Sequence, residues 1–565
     1  MSSCLNGGAA LCCPDMRFPG PNLDCRASRT LRLAGIAGLG TLVALTGCGK
    51  RENAAAAGIR TQTLLLGNGA EPADLDPQVI TAYTDGNIIM ALFEGLTALD
   101  EETAQPVPAA AERWEISPDQ LTWTFHLRPN LAWSNGEPLT ANDFVLSWRR
   151  LLTPALGAEN AYYLHAIRNA ERFNRGNMTD PSSLGLAAPD DLTLIVTLER
   201  PTPYFAMQVA QPSTYPVHLP TVVKFDAATR RGTAWTRPGN HVGNGPFSLG
   251  EWSPNARVSV VRNPHYRDAP GIRLRGIVFF PTENPDVDER NFRAGQVHAT
   301  HTLPLAKVGG WRERDPARLR VDPFLQTAFL RFNTTRPPLD DARVRRALSL
   351  AIDRETIART VLRGSRAPAF SLTPPGMGGY TSRARSETDF NAARALLAEA
   401  GFADGRGLPV FEIQCRNDEI QPQIAEVLQA TWRRELGIQL SLAPSEQKIW
   451  LQNQQTLAYA ITVGSWVADF PDPVNFLELF KGGGGYNWTG WSNARFDQEL
   501  AAAAAARDPG ERFARFQEAE AELLRESPIA PVFHGAQTYL LDPAVRGWPA
   551  APLGTRRYQQ VHLQE

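Results

Sequence analysis

At Gly437 the chain changes its hydrophobic period. Before it, IAEVLQATWRREL (residues 424–436) repeats apolar residues at three- and four-residue intervals; after it, IQLSLAP alternates. A helix stopped by glycine and followed at once by a strand must pack onto a sheet, so the fold has to combine both kinds of element. Similar signals recur along the chain. LTWTFHL (residues 121–127) sets Leu, Trp, Phe and Leu against Thr, Thr and His, the pattern of a half-buried strand. NGEP follows as a turn. Thr140 and Asp143 then form a T-x-x-D cap before Phe144, Val145, Trp148, Leu151 and Leu152, which predicts a capped amphipathic helix. LTLIVTLERPTP and ARVSVVRNP read as strands stopped by proline. LDDARVRRALSLAIDRETIARTVL, FNAARALLAEAGF and residues 512–525 read as helices. The expected class is α/β with mixed sheets, and 565 residues suffice for two or three domains, each with its own core.

The first 47 residues read as an address. Arg26, Arg29 and Arg32 precede LAGIAGLGTLVAL (residues 33–45), an apolar run too short to span a bilayer and flanked as a signal peptide is. Leu45-Thr46-Gly47-Cys48 has the form of a bacterial lipobox, which predicts lipidation of Cys48 and anchoring of the exported protein to a membrane surface. Residues 48–61 are expected to be a tether. Removing residues 1–47, with four arginines and two aspartates, takes the net charge from −2 to −4. It also removes four of the six cysteines; with Cys48 lipidated, only Cys415 is left and no internal disulfide can form. After Leu45 no apolar run reaches about 18 residues. No block of clustered Lys and Arg suggests nucleic acid.

Catalytic motifs are missing. The sequence has no Walker A loop, no G-x-G-x-x-G after a strand and no H-E-x-x-H. His298 and His301, at i, i+3, lack a nearby carboxylate or cysteine to complete a metal site. GWSNA (residues 490–494) lacks the last glycine of a nucleophile elbow, so a secreted serine hydrolase using Ser492 is the enzyme alternative and not the expectation. No cofactor or metal is implied.

One carboxylate stands out. In VGSWVADFPDPVNF (residues 463–476) an apolar strand runs through Trp466 into Asp469 and then two prolines. A carboxylate in such surroundings needs a cation or strong donors, or it gives up its charge. A ligand ammonium, a protein arginine and a helix-capping role all remain open from these residues.

LFEGLTALD, AAERWEISPDQLTWTFHLRPNLAWSNGEPLTANDFVLSWRRLLTP, GNGPFSLGEWSPNARVSVVRNPHYRD, LDDARVRRALSLAIDR and AEAGF occur in order. Together they closely resemble the oligopeptide/dipeptide-binding proteins of ABC importers (extracellular solute-binding protein family 5), from about Leu64 to the C-terminus. The resemblance implies a two-lobed periplasmic-binding-protein fold of three domains with a hinge between the lobes. Domain I would comprise 62–94, 220–325 and 534–565, domain II the insertion 95–219, and domain III, the second lobe, 326–533. It implies a monomeric receptor that delivers peptides to ABC permease subunits and is no enzyme; another amine-bearing ligand, such as a cell-wall peptide, is the alternative. Trp466, Asp469, Asp472 and Pro473 match the family's W-x-x-D-x-x-[DE]-P tract, which places Asp469 against the ligand's α-amino group. Thr81, Ala82 and Tyr83, within ITAY, and Gly464, Ser465 and Trp466 match the segments that pair with the peptide backbone. The family's disulfide positions fall on Gln326 and Val467. Its cations for the peptide C-terminus fall on Gln421, Gln454, Val463 and Leu362, and Arg363 is the expected substitute.

Overall fold

The computed structural model describes residues 52–565. The leader and Cys48 lie outside the described residues. The expected tether is shorter than residue 61. Asn53 accepts the Ala56 N–H at 2.8 Å and caps a helix over Ala54–Thr61, and Ala55 N–H donates to the Gly295 carbonyl at 2.8 Å. Gly58 lies so close to His298 that a Cβ there would fall 2.7 Å from the ring, so the helix is docked and not free. His298 serves that contact. It accepts Leu65 N–H at Nδ1 and faces the Ala55 carbonyl with Nε2, which makes it a structural histidine.

Three sheets organise separate cores. In the first, Thr63–Gly67 lies parallel to Gly276–Phe280, and Arg257–Arg262 and Phe247–Ser253 follow antiparallel. The second is antiparallel in the order Ala111–Ile116, Thr122–Leu127, Thr193–Thr197, Leu186–Asp190. The helix Ala141–Leu152 covers it: Phe144, Trp148, Leu151 and Leu152 are buried in one core with Trp123, Phe125, Leu194 and Val196. The expected cap is present, Asp143 accepting both the N–H and the Oγ1–H of Thr140.

The third sheet has six strands, ordered Ala367–Pro368, Ile529–Leu540, Leu319–Phe332, Ile461–Val467, Phe411–Arg416, Leu440–Ser445. It is mixed, since Phe411–Arg416 pairs in parallel with both its neighbours. The helix Gln421–Leu436 ends at Gly437, which takes a left-handed φ of 68° and turns the chain back into Leu440–Ser445. LDDARVRRALSLAIDRETIARTVL is broken, because Asp353 accepts the Thr356 N–H and starts a new turn after the helix Ala342–Leu350.

Two long strands belong to more than one core. Leu319–Phe332 and Ile529–Leu540 pair antiparallel, with a register break between Pro323 and Thr327. At one end Leu540 shares a cluster with Phe292 and Trp311 and exchanges hydrogen bonds with Thr300; at the other, Leu330, Phe332 and Ala530 pack with Ile413 and Ile461.

Candidate functional site

The strand Ile461–Val467 is paired along its whole length on one side, Ile461 opposite Phe332 through Val467 opposite Gln326. On its other side Phe411–Arg416 meets only Ile461 and Thr462. Among the described residues, the edge carrying Gly464, Ser465 and Trp466 is therefore free of a partner strand, a row of backbone groups open to another extended chain. Gly464 lies close to side chains of the neighbouring strand: a Cβ would lie 3.0 Å from Arg331 Nη1 and 3.4 Å from the Phe329 ring, so Arg331 would have to shift.

Beyond Val467 the chain turns, and its two acidic residues separate in role. Asp472 meets Arg512 through both oxygens, at 2.6 and 2.8 Å, and accepts Val474 N–H at 3.0 Å. Arginine pairing and the start of the short helix Val474–Leu477 thus both fall to Asp472. Asp469 has neither. Its carboxylate accepts from the Tyr163 hydroxyl at 3.1 Å and Asn475 Nδ2 at 3.3 Å, and its carbonyl accepts from Gln211 Nε2 at 2.6 Å. Among the described residues no ion pair includes Asp469. Burial pushes its carboxyl above the usual range, against the hydrogen bonds from Asn475, Tyr163 and Tyr162.

Tyr162, Tyr163 and Tyr486 lie near enough for this carboxylate to raise their pKa values, and further aromatic pairs line the same segment. Tyr162 and Tyr163 lie 4.4 Å apart between centroids, Trp466 and Tyr486 5.4 Å, and Tyr486 and Trp488 5.9 Å. Phe470 stacks on Tyr204 at 4.8 Å. Asn475 Oδ1 accepts from both Trp466 Nε1 and Asp469 N–H, which fixes the indole beside the acid. Burial raises the Tyr162 and Tyr163 hydroxyl pKa values, and the Asp469 charge raises them further, so both hydroxyls remain donors. An uncompensated carboxylate, neutral donors and π faces are together suited to a cation, an ammonium above all.

Tyr163 is 306 residues from Asp469, and no spacing in the sequence marks it, Tyr162, Gln211 or Asn475 as neighbours of that acid. Thr81 and Ala82 are exposed and Ala82 is extended, but Tyr83 opens the helix Tyr83–Leu92, so the strand-like stretch ends one residue earlier than expected. The Tyr83 hydroxyl donates to the Gly554 carbonyl at 2.9 Å, and its ring lines a cavity of about 660 Å³ that Gln326 and Val467 also line. A second cavity, of about 550 Å³, reaches Asp472 and Arg512.

Arg363 is exposed with φ at 51°, its carbonyl accepts from Arg312, and it lines neither cavity. Arg366, three residues on, is on the wall of the larger one. Gln454 accepts from the buried Arg331, and Gln421 accepts Arg416 N–H. Among the described residues no cluster of His, Cys, Asp and Glu could hold a metal ion.

Comparisons with known proteins point to one family, whose members are named for different solutes. The model of "Bacterial extracellular solute-binding proteins, family 5 Middle" matches residues 105–488. "Probable deoxycholate-binding periplasmic protein YgiS" of Escherichia coli (strain K12) is 36% identical over 496 residues, 86% of this chain and 91% of that protein. The periplasmic oligopeptide-binding protein OppA of Salmonella typhimurium is 33% identical over 500 residues, 86% of this chain and 90% of the relative. Among solved structures, the unliganded open form of the periplasmic murein tripeptide-binding protein MppA superposes with a TM-score of 0.78 at 31% identity, covering 89% of this chain and 97% of that one.

Proposed function

The chain belongs to the bacterial extracellular solute-binding proteins of family 5, and on that premise we propose that it captures peptides with a free α-amino group between two lobes and passes them to an ABC importer. Its fold is the two-lobed, mixed-sheet α/β fold of its structural neighbours, hinged between the lobes. One observation carries the ligand class: Asp469 is a desolvated carboxylate that neutral donors hold and that, among the described residues, no cation meets. A peptide ammonium supplies the missing charge, and the free edge at Gly464 to Trp466 offers main-chain hydrogen bonds that suit any sequence. Thr81 and Ala82 are exposed, and the reading gives them the other side of such a chain. The relatives bearing the printed names of oligopeptide-, dipeptide- and murein-peptide-binding proteins support the same class.

The domain limits expected from the family are part of this reading, with the tether ending before Ala54. A binding role needs no catalytic set, and the family is one of solute-binding proteins, so the reading assigns no enzymatic activity. Native mass spectrometry of the protein purified from its producing cells tests the ligand class. Co-purified peptides with unmodified amino termini are the expected result; a protein carrying only amine-free small molecules would overturn it.

Export and lipidation at Cys48 complete the proposal, placing the receptor on the outer side of a membrane as a monomer. Cys48→Ser is expected to release the protein into the soluble fraction and to abolish incorporation of labelled fatty acid, because one residue carries the lipid. A variant that still takes label and sediments with membranes would refute the anchor.

A further inference from the structure

Residues 204–211 face two ways. Phe205, Ala206 and Val209 are buried in the core of the second sheet, with Trp123 and Phe125. Tyr204 and Met207 pack instead against a different core, the one that holds Phe470, Val474 and Phe476. Tyr204 lies nearly flat on Phe470, with centroids 4.8 Å apart and planes inclined by 10°. At the end of the segment Gln211 Nε2 donates to the Asp469 carbonyl at 2.6 Å, across 258 residues of sequence.

Asp469 is thereby tied at both of its backbone groups, by different parts of the chain. Its N–H donates to Asn475 Oδ1 at 3.1 Å within the same turn. Among the described residues its carbonyl is met by Gln211 alone. The contact around this bond is narrow. Beside it lies the cavity of about 550 Å³, with Trp123, Thr202 and Met207 on one side and Pro471, Arg512 and Phe513 on the other. A packed interior leaves few voids much larger than a water molecule, and no strand pairing joins the second and third sheets among the described residues. The two surfaces therefore meet as separable faces. One neutral hydrogen bond and one aromatic pair each contribute modestly, which suits a seam that has to open.

We propose that Gln211 is a positioning residue for Asp469, and that with the Tyr204–Phe470 stack it forms a latch between the lobes that must part before solute leaves. The proposal rests on the solute-binding reading and its domain limits, which put residues 204–211 in one lobe and Asp469 and Phe470 in the other. It adds what holds the shut state and slows release. Both contacts join protein groups to each other, so the latch acts alike on every solute.

Small-angle X-ray scattering of the ligand-free full chain, with stopped-flow release of Ala-Ala-Ala and Ala-Phe-Ala, tests it. Gln211→Leu and Tyr204→Leu are each expected to enlarge the radius of gyration. Each should also speed release of both peptides by one common factor, about two- to ten-fold. Tyr204→Phe, which keeps the ring, should behave as wild type. Phe470→Leu removes the stack from the other side and serves if Tyr204→Leu does not fold; where both fold, the two combined should do no more than either alone. Residues that only support their own cores would lower the melting temperature and leave the radius and the release rate of the folded protein unchanged, a result that would overturn the latch. Acceleration that differs between the two peptides would overturn it too, by making these residues solute contacts. If the radius grows while neither peptide binds, the latch stands and the peptide reading falls. If wild type binds both peptides and rejects their N-acetyl forms while the folded variants match it throughout, the peptide reading stands and the latch falls.

Discussion

Asp469→Asn is expected to lower affinity for a peptide with a free α-amino group by roughly 30-fold to several thousand-fold, the range for truncating one member of a buried, hydrogen-bonded charge pair, about 2–5 kcal/mol. Asparagine preserves the shape and can still accept from Tyr163, so the loss isolates the charge. N-acetylated peptide should bind wild type poorly, and the variant should discriminate little between the two forms. Calorimetry of both peptides with both proteins closes a double-mutant cycle, and a coupling energy near zero would remove the ammonium from this position. Stability should move the other way. Because burial raises the Asp469 pKa, the unliganded fold retains a proton that the unfolded chain has released. Stability therefore falls as pH rises from the ordinary carboxylate range to the raised value, and stays lowered above it. Asparagine removes that loss, so at neutral pH the unliganded variant should melt no earlier than wild type.

Asp472→Asn, three residues away, should give the opposite pattern. Asp472 and Arg512 are 6% and 7% exposed and joined by two short hydrogen bonds. Neutralising the acid leaves a buried guanidinium without a counter-charge, and breaking such a pair costs about 3–5 kcal/mol. Denaturant unfolding should show that loss, while whatever binding survives should still reject N-acetylated peptide. If Asp472→Asn were as stable as wild type and blind to acetylation, the roles of the two acids would have to be exchanged.

Sequence reasoning located Asp469 because an isolated acid between an apolar strand and two prolines is anomalous in itself. It could not choose between a ligand, an arginine and a helix cap, since all three are met in space. Arg512 is 40 residues beyond Asp472 and Tyr163 306 residues before Asp469, separations on which periodicity is silent. The helix over Ala141–Leu152 was legible because its cap and apolar stripe are local. The docked helix Ala54–Thr61 was not, because a run of alanines reads alike as linker or helix and only His298 and Gly295 show what holds it. At Arg363 and Gly364 the chain takes two left-handed residues in succession, a turn that no repeating period marks in the sequence.

The strands Leu319–Phe332 and Ile529–Leu540 have a consequence for how binding strength and choice of ligand can vary independently. Their register breaks between Pro323 and Thr327 and again between Ala328 and Phe329, on the paired side of Ile461–Val467, one strand behind its free edge. If bending there sets the fraction of molecules poised to bind, a substitution at the break multiplies every apparent Kd by one common factor, because measured affinity scales with that fraction. Ratios between ligands stay fixed, while changes around Asp469 alter the ratios themselves. A lineage could thus retune this receptor to scarce or abundant solute through the strand behind the site, leaving the groups that select the solute unchanged.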